Sequence, residues 1–282
     1  MRIKNGNLII VLGIIWFYLL FDLMICIPFE QIIIPEVIFS IQTVIILVAV
    51  SPIGEAVNRF IHGGRKIITA EQKEYLDPLF RDVYDSFIEN KKRTSKRIKL
   101  YIDRSMTINA YAIGSNTIVV TRGAVQMLTP EQLKGVIAHE FGHLHHGDTL
   151  LLLVLLGGNV YLYGALLLIQ VIKLILSASS IVTGEDQVYG NIGKVFLWLC
   201  GLVAAPVIIF LQAAFAIVGR DNEYHADRFA YEVGYGDNLK AALYKLDKLD
   251  ISDGKLSILE RLTNQHPDID KRIEQLEALT GN

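Results

Sequence analysis

The sequence His139-Glu140-Phe141-Gly142-His143 places two imidazoles and a carboxylate on one short segment. On a helix, His139 and His143 lie one turn apart on the same face. Two imidazoles in that arrangement can bind one zinc ion, and Glu140 beside them can accept a proton from water. At background residue frequencies such a pattern occurs by chance in roughly one chain of this size in a hundred. A metal site therefore also requires a third ligand and a suitable structural setting.

The residues around this pattern predict that it lies on a helix within 129–148. Thr129 is a favourable N-cap, Pro130 suits the first helical position, and Gln132 completes a capping box with Thr129. Apolar side chains then recur at helical spacing and predict a stripe that faces the core: Val136, Ile137, Phe141 and Leu144. The two histidines are thus expected to project together from a well-defined helix.

The composition is too apolar for an ordinary soluble protein. Of the 282 residues, 52% are hydrophobic and 20% are charged, and the mean hydropathy is +0.38. The formal net charge of −2 gives no basis for nucleic-acid binding, and none is expected. Both cysteines, Cys26 and Cys200, lie inside apolar runs. Neither a disulfide framework nor cysteine metal ligands are expected.

Four long apolar runs predict four membrane-spanning helices. They cover residues 8–27, 32–50, 149–177 and 195–218. Arg2 and Lys4 precede the first run, which favours a cytoplasmic N-terminus. A cleaved signal peptide is the alternative interpretation of that run, and the absence of a small-residue cleavage site disfavours it.

The spans divide the chain into two membrane hairpins, 1–50 and 149–218, and two polar parts, 51–148 and 219–282. Four spans return the chain to its starting side, so both termini and both polar parts are predicted to be cytoplasmic. The predicted localisation is a multi-pass protein of the cell membrane, with the lipid bilayer as a partner. A basic cluster within 91–99 has two interpretations, contact with anionic lipid headgroups or a solvated loop.

Between the second span and the H-E-x-x-H helix, the sequence predicts one helix and a small antiparallel sheet. Residues 70–92 are typical of an amphipathic helix, interrupted at Pro78. Three β-prone runs follow, at 98–102, 106–113 and 117–121, and Gly114-Ser115-Asn116 predicts a turn between the last two.

The third metal ligand is predicted in Arg220-Asp221-Asn222-Glu223-Tyr224-His225-Ala226-Asp227, directly after the fourth span. On a helix, Arg220, Glu223 and Asp227 share one face. Glu223 can be the third ligand, and Asp227 can accept a hydrogen bond from the far nitrogen of a ligating histidine. Ordinary surface charges on an amphipathic helix are the alternative. The other histidines near these motifs are not expected to be ligands: His145, His146 and His225.

Taken together, these motifs resemble those of the integral-membrane zinc metalloproteases of the HtpX type, relatives of the CAAX prenyl proteases. The resemblance covers nearly the whole chain and rests on Asn109-Ala110-Tyr111-Ala112, Ile118-Val119-Val120-Thr121, His139–His143, Arg220…Glu223…Asp227 and His266-Pro267…Arg272. It implies a mainly α membrane protein with four transmembrane helices and a cytoplasmic α+β domain of the gluzincin-like metalloprotease type.

The resemblance also implies roles for the residues of the site. His139, His143 and Glu223 would bind one Zn²⁺ per chain, and Glu140 would be the catalytic base. The segment 109–112 would be an edge strand that pairs with extended substrate backbone. His266 has two interpretations, a cap of the last helix or a donor to the tetrahedral oxyanion, and Arg272 is expected to be a structural ion-pair partner.

The predicted function is that of a zinc-dependent endopeptidase at the cytoplasmic membrane face, acting in quality control of misfolded or damaged membrane proteins. Its predicted partners are membrane protein or peptide substrates. The sequence does not decide whether the protein forms homo-oligomers or binds a regulatory membrane partner. A dedicated protease for a specific membrane or lipidated peptide is one alternative. A non-catalytic zinc-stabilised membrane scaffold is the other, and Glu140 disfavours it because a structural zinc site needs no base.

Overall fold

The structure is a computed structural model, and it describes residues 16, 33–67, 69–91, 98–154, 157, 164, 167, 171, 219, 221–250 and 269–280. The predicted span 195–218 lies outside the described residues, as does the span 8–27 apart from Trp16. The division of the chain into membrane hairpins and cytoplasmic parts therefore stays a prediction.

The first described part consists of two helices on either side of Ser51. Helix α1 is Ile33–Val50 and helix α2 is Pro52–Ile61. The Ser51 hydroxyl accepts hydrogen bonds from two backbone N–H groups in the first turn of α2, which starts the new helix. In the described part of the chain, no single helix is both long and apolar enough to cross a membrane. The pair Ser40–Val50 and Pro52–Ile61, bent by 70°, meets that requirement jointly.

Helix α3, Ala70–Lys91, runs without a break through Pro78, so the predicted interruption at this residue is wrong. The buried side chains of Leu76, Val83 and Phe87 are 0%, 0% and 3% exposed and lie on both sides of the proline. A proline inside a helix costs about 3 kcal/mol. Burial of these side chains offsets that cost, because each contributes about 1.5–3 kcal/mol.

The three strands form a mixed sheet, not the predicted antiparallel one. They are β1 (Lys99–Asp103), β2 (Ala110–Ile113) and β3 (Thr117–Thr121), in the order β1-β3-β2. The hairpin β2–β3 is antiparallel as predicted, but β1 pairs with β3 in parallel, because residues 104–109 take the chain to the far side of β3. The predicted run 106–113 is shortened to β2, since the hydroxyls of Ser105 and Thr107 close a local turn before it.

Helix α4 (Arg122–Met127) leads into α5 (Pro130–His146), which carries the H-E-x-x-H pattern. The predicted capping box between Thr129 and Gln132 is confirmed, with both reciprocal hydrogen bonds present. Gly147, with a φ of 81°, ends α5 in a left-handed conformation that glycine adopts without strain. A further helical segment, 148–154, begins directly after it.

Three helices complete the described fold: α6 at 221–232, α7 (Gly236–Asp250) and α8 (Ile269–Thr280). Helix α5 packs against α3, α7 and β2, and α8 packs against α7. The core that joins them has fully buried side chains from several elements, among them Ile118, Leu133, Ile137, Phe141 and Leu276. The H-E-x-x-H helix is therefore the central element of the described domain.

Candidate metal centre

Glu223 lies beside His139 and His143 although it follows them by about eighty residues in the sequence. The Nε2 atoms of His139 and His143 lie 3.1 Å apart. Glu223 places Oε2 at 3.3 Å from His139 Nε2 and Oε1 at 3.4 Å from His143 Nε2. In the part of the chain that the structure describes, this is the group of His, Cys, Asp and Glu side chains that could hold a metal ion.

The close approach of α5 and α6 depends on Gly142, the fourth residue of the H-E-x-x-H pattern. A Cβ at this position would lie 2.8 Å from Ala226 Cα, closer than two such atoms can pack. Because Gly142 has no side chain, α6 can lie directly against α5. This contact brings Glu223 to the two histidines.

Two carboxylates behind the histidines fix the direction of both rings. Asp227 Oδ1 lies 2.8 Å from His139 Nδ1, and Asp148 Oδ2 lies 3.0 Å from His143 Nδ1. Each Nδ1–H donates to its carboxylate, so each Nε2 faces Glu223, where it donates a hydrogen bond when protonated and offers a lone pair to a metal when not. Three electron-pair donors that face one another repel unless a cation lies among them. The donor set therefore fits a divalent metal ion.

Asp227 lies where the sequence predicted it, whereas Asp148 was missed. Asp148 directly follows Gly147, so the left-handed turn at that glycine carries its carboxylate back towards His143. In the sequence, the indication of this contact is an acidic residue immediately after the glycine that ends the helix. It did not lead to a prediction because residue 148 also borders the next apolar run.

Arg272 of α8 joins the carboxylates of the site. Its Nη1 lies 3.0 Å from Glu223 Oε2, while its Nη2 and Nε donate to the two oxygens of Asp227 at 2.6 Å and 2.8 Å. The side chain is 9% exposed. The ion pairs expected for Arg272 are thus present, and they join α8 to α6. Arg220 and His266, the other predicted members of the site, lie outside the described residues.

The charges of the site shift the pKa values of its members. Burial raises the pKa of Asp227, but the Arg272 guanidinium and the hydrogen bond from His139 lower it more, so it lies below its usual range. Burial lowers the pKa of His143, but hydrogen bonds to Asp148 and Glu223 raise it well above 6.5. For His139, burial and Arg272 lower the pKa, and Asp227 with Glu223 outweighs them. Without metal, the site therefore holds protons tightly.

Metal binding is expected to weaken as the pH falls, and to begin weakening above pH 6.5. The metal needs both Nε2 lone pairs free, and the raised pKa values of His139 and His143 mean that protons compete for these lone pairs at higher pH than in a free imidazole. Below both pKa values the apparent affinity should fall about tenfold per pH unit for each proton displaced. Competition with a chromophoric chelator between pH 5.5 and 8.5 measures this; a flat profile would contradict it.

Replacing Asp148 with Asn is expected to lower metal affinity by about 10–100-fold, the usual effect of losing a carboxylate behind a ligating histidine. The amide keeps the size of the side chain but not the charge that holds His143 Nδ1–H. The matched control is Asp221→Asn, since Asp221 is exposed and lies 3.4 Å from His225. Equal affinities of the two variants in a zinc titration would show that Asp148 does not orient His143.

Glu140 and strand β2 line the same pocket as the metal group. The cavity has a volume of about 290 Å³, and its walls include His139, Glu140 and residues 109–112. Glu140 is 6% exposed. Among the described residues, strand β2 pairs within the sheet only with β3, and its other edge lies on the pocket side without a strand partner in that part of the chain. The predicted substrate strand, Asn109-Ala110-Tyr111-Ala112, thus lies beside the metal group.

A larger cavity of about 750 Å³ lies near β1 and is lined by Arg65, Asp103, Arg104 and Arg122 among others. None of the metal-group residues borders it. We assign the chemistry to the smaller pocket, because it alone of the two combines the metal group with Glu140.

The three remaining histidines near the site point elsewhere, as expected. The ring of His145 lies 5.1 Å from that of Phe229, and the ring of His146 lies 6.1 Å from it. His225 Nε2 lies 3.4 Å from Asp221 on the same helix. These rings belong to the packing between α5 and α6.

Comparison with known proteins places the chain in a peptidase family, in agreement with a metal group beside Glu140. Residues 72–280 match the model of peptidase family M48. A "Protease HtpX homolog" of Methanocaldococcus jannaschii is 28% identical over 203 residues, which cover 63% of this chain and 67% of that protein. One from Thermoanaerobacter pseudethanolicus is 28% identical over 204 residues, covering 64% and 66%. One from Syntrophotalea carbinolica is 29% identical over 228 residues, covering 72% and 76%.

The fold is also similar to that of a solved structure, the crystal structure of S. mikatae Ste24p. The TM-score is 0.53 at 18% sequence identity, and the likeness covers 94% of this chain and 61% of that one. The family match contains the whole H-E-x-x-H helix, Glu223 and Arg272. The resemblance inferred from the motifs is confirmed. The chain belongs to peptidase family M48 and is a metalloprotease.

Proposed function

We propose that this metalloprotease is a zinc-dependent membrane endopeptidase that cleaves peptide bonds at the cytoplasmic face of the membrane. The observation that carries the proposal is the grouping of His139, His143 and Glu223 beside Glu140, in a pocket walled by a free strand edge. A purely structural zinc site usually has four protein ligands and no adjacent base. The three-donor group next to a buried carboxylate favours catalysis over a scaffold.

The donor distances support zinc as the metal. Zinc binds nitrogen and oxygen ligands at about 2.0–2.2 Å in tetrahedral geometry, which separates two ligand atoms by about 3.3–3.6 Å. The two Nε2 atoms lie 3.1 Å apart, and each lies close to a different oxygen of Glu223, His139 Nε2 at 3.3 Å from Oε2 and His143 Nε2 at 3.4 Å from Oε1. When bound, zinc supplies a Lewis acid that polarises the scissile carbonyl and makes water more acidic.

The chain's own residues supply the remaining steps. Glu140 accepts the proton of the attacking water and then gives it to the leaving amine. Asp148 and Asp227 hold the two imidazoles in their orientation, and Arg272 neutralises the buried carboxylates around them. A role for His266 as oxyanion donor is part of the proposal and rests on the family resemblance.

Strand β2 is proposed to bind the substrate. An extended peptide can add to its free edge through backbone hydrogen bonds, and the small side chains of Ala110 and Ala112 leave room for it. Tyr111 anchors the strand, since its hydroxyl donates to the carbonyl of His62 at 2.7 Å. Burial and the nearby Asp103 raise the pKa of Tyr111 to about 12, so the phenol keeps its proton at neutral pH.

The membrane location and the substrates are proposed from the long apolar runs and the HtpX relatives. Misfolded or damaged membrane proteins are the proposed substrates. Dedicated processing of one membrane or lipidated peptide is the second candidate. Trapping substrates on a Glu140→Gln variant separates the two, since many unrelated membrane proteins should be captured in the first case and a single species in the second.

Casein cleavage by the detergent-purified protein is expected to stop with a chelator and to return with added zinc. Replacing Glu223 with Ala should lower the zinc content from one ion per chain to less than about a tenth of that, because only two protein ligands remain. The control is Glu232→Ala on the same helix, an exposed glutamate that pairs with Arg228. Chelator-insensitive cleavage, or full zinc content in Glu223→Ala, would contradict the proposal.

A further inference from the structure

Helix α2 exposes a stripe of large apolar side chains. Ile53, Val57, Phe60 and Ile61 are 67%, 52%, 83% and 69% exposed. Their spacing places all four on one face of the helix. Single exposed apolar residues are common on protein surfaces, but a contiguous stripe of this kind marks an interaction site.

The opposite face of α2 is fixed to the catalytic domain. Glu55 is 9% exposed and accepts hydrogen bonds from the backbone N–H of Ser115, at 3.2 Å, and from the hydroxyl of Thr117. At the end of α2, the carbonyl of His62 accepts the Tyr111 hydroxyl. These contacts hold α2 against both ends of the β2–β3 hairpin, so its apolar stripe cannot turn inwards.

The angle between α1 and α2 suits a membrane surface. Helix α1 also exposes apolar side chains, with Ile41, Val44 and Leu47 at 51%, 57% and 60%. The two helices are bent by 70°. If α1 stands along the bilayer normal, α2 lies about 20° from the bilayer plane, since 90° − 70° = 20°. An amphipathic helix in this orientation can lie in the interface plane, with its apolar face at the boundary between headgroups and acyl chains.

The charges around α2 favour lipid over a second protein as its partner. Between residues 51 and 67 the only acidic residue is Glu55, which points into the domain. Arg65 and Lys66 follow the helix and are exposed, and the Arg59 guanidinium lies 4.3 Å from the centre of the Tyr101 ring. The half-buried Asp103 carboxylate lies beside Gly63 at the end of the helix, but the stripe itself carries no exposed carboxylate and is followed by cations. This pattern matches the acyl chains and headgroups of an anionic bilayer.

We propose that α2 lies in the bilayer interface, with its apolar stripe among the upper acyl chains and Arg65 and Lys66 at anionic headgroups. The consequence for substrates rests on the proposed function. Because α2 is hydrogen-bonded to the β2–β3 hairpin, the substrate edge of β2 is held at a fixed height above the lipid. The protease would then receive extended segments next to the membrane surface, such as the unfolded flank of a membrane span.

The position of α2 is tested with Phe60→Trp in the full chain, after Trp16 and Trp198 are replaced with Phe. The protein is placed in vesicles of phosphatidylcholine and phosphatidylglycerol that contain dibrominated phosphatidylcholine. We expect bromines near the headgroups to quench this tryptophan at least about twofold more than a control tryptophan at Gln275, an exposed position on α8 that borders neither cavity. Equal quenching would overturn the proposal. So would blue-shifted but unquenched emission, which would show that protein covers the stripe.

The consequence for substrates is tested with a variant that carries Ile53→Ser, Val57→Ser and Phe60→Ser. We expect the ratio of membrane-anchored substrate cleavage to casein cleavage to fall about tenfold or more. The control carries Met106→Ser and Met127→Ser, two exposed apolar residues elsewhere. An unchanged ratio would overturn the coupling to β2. Lack of casein cleavage in the wild-type protein would instead refute the proposed function, and the quenching result would still decide the position of α2.

Discussion

Replacing Glu140 with Gln is expected to lower the rate of peptide hydrolysis by about 10²–10⁴-fold, the usual contribution of a general base. Glutamine keeps the shape of the side chain but cannot accept a proton from water. Glu140 borders the pocket but is not one of the three donors that face one another, so zinc content should stay at one ion per chain. Initial rates on casein and metal analysis of the same sample give both quantities.

The control for this experiment is Glu131→Gln. Glu131 lies in the first turn of the same helix and is exposed, so its loss should leave the rate within about twofold of the wild type. Full metal content with wild-type turnover in Glu140→Gln would exclude Glu140 as the base. Loss of the metal would show instead that Glu140 helps to hold the ion.

The parts of the site that local sequence determines were predictable. Thr129 and Gln132 set the start of α5, and the spacing of His139 and His143 sets their common face. The same reasoning placed Asp227 on the face of Glu223, and the structure shows its carboxylate at His139 Nδ1. Each of these inferences uses residues within about one or two helical turns, where geometry follows directly from the sequence.

Contacts between distant segments were not predictable in the same way. The parallel pairing of β1 with β3 depends on which side of β3 the chain enters, and nothing in residues 98–121 specifies that side. The continuity of α3 through Pro78 depends on tertiary burial, which outweighs the local preference. The link from Glu55 to Ser115 joins segments about sixty residues apart.

Helix α2 was missed for a different reason. The segment that follows Ser51 contains Pro52, Gly54, Glu55 and Asn58, so it reads as polar beside the preceding apolar run. The polar residues Glu55 and Asn58 are buried and the apolar ones are exposed, the reverse of a helix on a soluble protein. An inverted pattern of this kind becomes visible only when the structure shows which face meets the domain.

Replacing Arg272 with Leu is expected to lower the free energy of unfolding of the metal-free protein by about 3–5 kcal/mol, because it leaves buried charges without their partner. Glu223 and Asp227 are 7% and 2% exposed, and the guanidinium contacts both. Bound zinc supplies positive charge beside Glu223, so the loss should be smaller in the metal-loaded protein.

The matched control is Arg228→Leu, since Arg228 pairs with Glu232 at 3.3 Å on the surface of α6 and is 66% exposed. Exposed pairs of this kind contribute about 0–1 kcal/mol. Urea titration in mild detergent, with and without zinc, compares the two variants. If Arg272→Leu costs no more than Arg228→Leu in the metal-free protein, the guanidinium is not what stabilises the carboxylates. If zinc leaves the cost of Arg272→Leu unchanged, then the ion does not compensate the carboxylate charges that Arg272 pairs with.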